Sequence, residues 1–421
     1  MARLSVLLSA ALLFGLPTAR GETDFIDSAA LHAAGLVKYW QLRLPLRPGQ
    51  EVCDAYLVDD QIYATTPDGH VYAVHALTGA LRWTTQVTTA GYRLPRPCHA
   101  AQRVVFVIPP AMLQYDRYNG EPVRKVELRF PAGAPPLSDG TRVYLGGIDQ
   151  RLYAFYLDQD FENWKARAGG QVLARPVLLG PHLYFASDDG SVYGCVAENK
   201  QLYWRTRVYG AIIADLAADQ NNLFVATLDN SLFSLDPTTG GKRWRMRFSG
   251  PLYEPPVVVG PLAFQYCRED GLSVLNTGTV GVEQRLRWVL PQGRHLLTVH
   301  EGLCYVLSRD ENIVVARLED GQVVDTLPAP GFTIGMSSPQ DPAAYLAATD
   351  GRLFCARRRG AAVVQAADVR QAMEVPTTQP AAMQPTEPAP QAAAAEDHLK
   401  SKGGGPPVGG KSRVSREYAG Q

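Results

Sequence analysis

Six tryptophans, Trp40, Trp83, Trp164, Trp204, Trp244 and Trp288, are separated by 43, 81, 40, 40 and 44 residues. The long gap holds two steps with one tryptophan missing, near Arg124, and one more step beyond Trp288 reaches an empty place near Asp325. A large aromatic returning at such a period marks one supersecondary unit used many times. A second series runs in phase with the first: Asp68-Gly69, Asp149-Gln150, Asp189-Gly190, Asp229-Asn230, Asp270-Gly271, Asp310-Glu311 and Asp350-Gly351. Neighbours in it lie 40 or 41 apart, except where a degenerate unit around Pro109-Pro110 intervenes. In four units the aspartate precedes its tryptophan by 15 residues.

Each unit reads as strands. In residues 182–208, Leu183 to Ala186 is a short apolar run, Asp189-Gly190 supplies a turn, and Val192 to Val196 returns. Aspartate and glycine tolerate the positive φ that tight hairpins need. A second turn at Glu198-Asn199-Lys200 leads to Tyr203-Trp204, and Pro176 to Gly180 supplies a preceding strand. Four short antiparallel strands per repeat define a propeller blade. A helical repeat is excluded, because no segment between 36 and 357 sustains a 3.6-residue apolar period.

Eight turn places lie near 68, 109, 149, 189, 229, 270, 310 and 350, so the fold expected is all-β: an eight-bladed β-propeller of four-stranded antiparallel blades. Seven blades remain open if 102–128 is only a long loop. The last unit, Asp350 to Ala356, has no tryptophan strand after it, and the first tryptophan strand, Val37 to Leu42, has no hairpin before it. The N-terminal strand is therefore expected to close the last blade, which ties the ring and removes free sheet edges. The blades at Arg124 and Asp325 are expected to be the least regular.

The remaining segments divide cleanly. Arg3 followed by an apolar run from Leu4 to Leu16 and then Ala19-Arg20-Gly21 reads as a secretory signal peptide, 1–21. No cysteine follows that run, so attachment as a lipoprotein is not expected. Residues 22–35 form a lead-in, 36–358 the propeller, and 359–421 an Ala/Pro/Gln/Gly-rich tail expected to be disordered. That tail reads either as a tether or as a bare spacer. Lys and Arg together equal Asp and Glu at 41 each, which argues against a nucleic-acid-binding surface. No later segment is long and apolar enough to span a membrane. The six cysteines, Cys53, Cys98, Cys195, Cys267, Cys304 and Cys355, read chiefly as buried thiols, with Cys53–Cys98 and Cys267–Cys304 as the only bridges between neighbouring blades.

The best-kept unit runs from Ala73 to Trp83 and the fifth from Ser234 to Trp244. Both place a small residue first, Thr-Gly sixth and seventh, and Trp eleventh. This pattern resembles the tryptophan-docking repeat of the PQQ-like (quinoprotein-type) β-propellers, over nearly all of 36–358. The resemblance implies that Trp40, Trp83, Trp164, Trp204, Trp244 and Trp288 pack between adjacent blades. Each indole can bury roughly 150–250 Å², worth several kcal/mol at about 25 cal/mol per Å². It also implies two functional classes. One is the quinoprotein dehydrogenase, with PQQ and calcium in the channel, a catalytic aspartate and often a disulfide between adjacent cysteines. This chain has no adjacent cysteines and is short for such an enzyme. The other is the BamB-type propeller, a periplasmic scaffold that helps assemble outer-membrane β-barrel proteins.

No catalytic constellation is legible. The eight histidines are scattered, and no zinc spacing, GxSxG elbow, phosphate-binding loop or calcium loop occurs. The expectation is thus a non-catalytic, periplasmic or secreted scaffold, monomeric, without cofactor or metal, whose partner is an envelope protein or peptide. The candidate partner-binding residues come from loops between blades: Arg93, Arg96, Arg175, Glu254, Arg294 and His295. Arginines gathered near the channel mouth would suit an acidic peptide or carboxylate.

Overall fold

The computed structural model describes residues 23–374 except 90, 279–280 and 340. The expected signal peptide, and the expected tail from 375 onward, lie outside the described residues. By its internal contacts the chain divides after Val375, and the first unit is the one described below.

Eight four-stranded antiparallel sheets follow one another, each built from consecutive strands except the last. Blade 4 shows the plan: Val177–Leu179, His182–Ala186, Ser191–Val196 and Leu202–Arg207 run from the inner to the outer strand. The two middle strands are buried almost throughout, while the outer strand alternates buried and exposed residues. Such a pattern suits sheets packed face to face, with only their outer edges in water. Blade 8 takes Phe332–Met336, Ala343–Ala348 and Arg352–Arg358 from the C-terminal side and Leu36–Arg43 from the N-terminal side, so the first strand closes the ring. Pro109-Pro110 is a two-residue cis turn between Arg103–Ile108 and Ala111–Asp116, which makes the degenerate unit a full second blade.

The tryptophans dock neighbouring blades. Each indole Nε1–H donates to the carbonyl that follows the third strand of the next blade: Trp40 to Ala76 at 2.9 Å, Trp83 to Arg117 at 3.0 Å, Trp164 to Ala197 at 3.2 Å, Trp204 to Pro237 at 2.9 Å, Trp244 to Thr277 at 3.3 Å and Trp288 to Leu318 at 3.0 Å. A register shift beside each tryptophan recurs in all eight outer strands, including those of Arg124 and Asp325. A bulge there adds twist and re-aims the side chain toward the neighbour. The outer strands of Arg124 and Asp325 therefore keep the common register, and the Arg124 blade is otherwise regular, contrary to expectation. Irregularity sits in the inner strand of blade 7, the Asp325 blade, as expected, and in that of blade 8.

The two vacant places are filled differently. Between blades 2 and 3, Gln114 Nε2 and Arg103 Nη1 donate to the Leu157 carbonyl at 3.0 and 3.1 Å, the bond an indole would make. Arg124 turns outward to Asp160 at 2.7 Å. Between blades 7 and 8 the lead-in does the filling. Helix α1 (Ser28–Ala33), capped by Asp27, buries Leu31 beside Ile26 and Ala34 in a cluster with Leu297, Tyr305, Phe332 and Phe354. The Tyr305 hydroxyl donates to the Ala34 carbonyl at 3.0 Å.

One sequence expectation changes, and the chief reading of the cysteines as buried thiols holds. Helix α2 (Ala366–Met373) lies inside the stretch expected to be irregular from 359, its first turn held by the Gln365 backbone N–H donating to Asp368 at 2.7 Å. Its run of helix-favouring alanines sits in a segment whose overall composition argued for a loop. All six cysteines are free, and all but Cys53 are buried.

Candidate functional site

An antiparallel four-stranded blade puts the turn between its second and third strands on the same face of the ring as the connection to the next blade. The Asp-Gly turns and the six candidate residues therefore share one face, and the structure divides those six into two groups.

The first group lies on blades 1 to 5. Arg93, in the connection after blade 1, donates from Nε and Nη2 to Asp54 at 2.6 and 2.5 Å. Its side chain is 75% exposed, whereas that of Asp54 is 13% exposed. Arg96 is half-buried: Nη2 donates to the Leu57 carbonyl at 2.7 Å and Nε is enclosed without a partner. Burial, and then the charge of Arg175, hold its pKa below the ordinary arginine value. Arg175 donates from Nε to the Pro136 carbonyl at 3.0 Å and from its backbone N–H to Asp215 at 2.9 Å. Burial pushes the Asp215 carboxyl above the usual range, opposed by that N–H and by the two guanidiniums. Two of the three arginines are thus parts of the wall, tied to backbone carbonyls, and are not free loop charges.

The second group is Glu254, in the connection into blade 6, with Arg294 and His295, which lie not in a loop as expected but in the inner strand Gly293–His300 of blade 7, whose pairing sets their side chains. His295 Nδ1 stands 3.7 Å from Glu254. Burial, and then Arg294, push the imidazole down to about 4, while burial pushes Glu254 up. Near neutral pH the histidine is therefore uncharged, and its approach to Glu254 is not an ion pair. Among the described residues no hydrogen bond or ion pair joins the two groups.

The same face carries side chains that charge-seeking motifs pass over. Tyr92, Tyr209 and Tyr253 are 44, 67 and 60% exposed. Each stands in an inter-blade connection beside glycine or proline, as in Gly91-Tyr92-Arg93, Tyr209-Gly210 and Tyr253-Glu254-Pro255. An aromatic in a connection, outside any strand, is the sequence signal. Exposed tyrosines next to charged groups are what protein-binding surfaces are made of.

Calcium needs six to eight oxygen ligands, and among the described residues no three His, Cys, Asp or Glu side chains converge to hold a metal ion. The opposite face holds a cleft of about 800 Å³ between blades 5 and 6, lined by Asp219, Asn222, Arg243, Trp244 and Arg285 among others.

Fold and repeat together define a PQQ-like β-propeller with tryptophan-docked blades. The sequence model described as outer membrane protein assembly factor BamB matches residues 111–209 and 195–395, more than half of the chain, and the chain belongs to that family. BamB from Moraxella catarrhalis superposes with a TM-score of 0.60 at 14% identity, over 76% of this chain and 99% of that one. The computationally designed Ika8 protein superposes at 0.58 and 14% identity, over 74% and 98%. At such identities these two likenesses show the fold alone. No curated protein matches the sequence.

Proposed function

We propose that this chain is an exported, non-catalytic scaffold of the cell envelope that binds a protein partner through its loop face and takes part in outer-membrane protein assembly. The family match carries this reading. The exposed tyrosines beside Arg93 and Glu254 supply a surface suited to it. The test is crosslinking followed by a denaturing pull-down from envelope fractions, with the full chain and with a chain ending at residue 360. One envelope partner recovered with both is expected. No specific partner would contradict the scaffold, and recovery that requires the tail would move binding off the propeller. Mixing with PQQ and calcium should leave the absorbance spectrum unchanged; a cofactor band would restore the enzyme reading.

A further inference from the structure

The outer strands of blades 3, 4 and 5, Glu162–Arg167, Leu202–Arg207 and Lys242–Arg247, carry two rows of cations. Arg167, Arg207 and Arg247 pair in register with Arg151, Ser191 and Ser231, which is the same place in three consecutive blades. Two residues earlier stand Lys165, Arg205 and Arg245. The rows differ in what holds them. Lys165 pairs with Glu162 at 2.8 Å, Arg205 with Asp189 at 3.6 Å and Arg245 with Asp229 at 3.0 Å. The side chains of Arg167, Arg207 and Arg247 are exposed and enter no ion pair or hydrogen bond among the described residues.

Charged edge strands guard sheets against edge-to-edge pairing, and either sign serves. Blades 1, 2 and 7 fill the same place with Gln86, Glu127 and Pro328. Guarding therefore does not account for one sign, unneutralised, at one register in three successive blades. Uniform sign builds a field that attracts the opposite charge. Below this row stands Tyr209, exposed, with Lys242 Nζ and the Arg245 guanidinium 5.3 and 5.6 Å from its ring centre.

We propose that the outer wall of blades 3–5 docks an extended acidic polypeptide segment, with Arg167, Arg207 and Arg247 each receiving a carboxylate and Tyr209 packing against the segment. The guanidinium fork matches a carboxylate in bidentate geometry. Two blade steps in an eight-blade ring turn the wall through a quarter circle. A flexible chain can follow all three arginines around that curve, whereas a flat bilayer meets one blade at a time. The three arginines stand on outer strands while Tyr209 belongs to the loop face, so the arginine variants test this wall separately from the loop-face reading.

The experiment is fluorescence anisotropy of a labelled Glu-Gly-Ser peptide, long enough to cross three blades, titrated with the full chain at low ionic strength. The wild type should bind, and added salt should weaken binding by screening. An exposed guanidinium–carboxylate pair contributes up to about fivefold in affinity, so Arg167→Gln/Arg207→Gln/Arg247→Gln should weaken binding roughly tenfold or more. Arg43→Gln, at the corresponding place in blade 8, should bind as the wild type does. Unchanged thermal unfolding of the triple variant would show that the loss is not one of folding. Absence of peptide binding to the wild type, or equal binding by the triple variant, would overturn the proposal. So would capture by phosphatidylglycerol vesicles that depends on the three arginines while the peptide is ignored.

Discussion

Gly79 lies flat beneath the indole of Trp40: a β-carbon on this glycine would come within 2.6 Å of the ring. Gly120 and Trp83, Gly240 and Trp204, and Gly321 and Trp288 repeat the relationship. The glycine of the Thr-Gly turn has two tasks. It adopts positive φ, +70° at Gly79, and it leaves room for the indole of the preceding blade. Turn and tryptophan belong to different blades at every contact, so the repeat docks each blade to the next rather than stabilising its own hairpin.

Gly79→Ala should therefore cost more than backbone strain alone. The positive φ accounts for about 1–2 kcal/mol, and the collision should add about 2 kcal/mol. Gly180, at φ +56° with nothing within 4 Å of an added β-carbon, is the comparison that isolates the strain. Urea unfolding of Gly79→Ala and Gly180→Ala should show the first clearly less stable; equal losses would remove the docking role.

The lead-in is structural, and Leu31 tests it. The side chain is fully buried at the boundary of blades 7 and 8, where Asp325 stands in place of a tryptophan. Leu31→Ala should cost about 2–4 kcal/mol, as for a leucine of any core. A denaturation midpoint within error of the wild type would show the segment to be a spacer.

Arg93 and Arg96 are not equivalent probes of binding. Arg93→Ala removes an exposed guanidinium from a bidentate pair whose Asp54 carboxylate is largely enclosed, and should cost about 1 kcal/mol. Arg96→Ala removes an enclosed hydrogen bond and the packing of its stem, and should cost about 2 kcal/mol. Loss of partner capture with only a small change in melting temperature is thus expected for Arg93→Ala alone. Equal destabilisation by both would contradict the placement of Arg96 in the wall.

His295 makes stability fall on acidification. Its folded pKa of about 4 lies below the unfolded value of 6.5, so the unfolded chain binds the proton first. Stability attributable to this group is complete above pH 6.5 and is lost progressively as pH falls toward 4. Between pH 8 and 5 the loss is on the order of 2 kcal/mol. Glu254, raised by burial, acts in the opposite direction. His295→Gln should therefore lose less stability than the wild type over that interval, measured by chemical denaturation at both pH values. An identical pH response would refute the buried neutral imidazole.

The fold was legible because each blade spends its largest aromatic at one register. Closure by Leu36–Arg43 followed from a tryptophan strand without a hairpin and a hairpin without a tryptophan strand. What replaces a missing indole was not legible. Gln114 and Arg103 reach the Leu157 carbonyl from different strands, and α1 arrives at Asp325 from nearly three hundred residues away in the chain. The candidate site was half legible. Sequence placed Arg93, Arg96 and Arg175 in inter-blade connections but put Arg294 in a loop where it lies in a strand, and it could not show that Arg96 and Arg175 bond to backbone carbonyls. Tyr209 escaped notice because a single loop aromatic looks like core until its exposure is seen.

The central claim, that the loop face binds a protein in the envelope, is tested most directly by a photo-crosslinking amino acid in place of Tyr253, with one in place of Asn221 on the opposite face as the control. The account expects a discrete adduct with one envelope protein from position 253 and none from 221. No adduct from 253, or the same adducts from both positions, would contradict it.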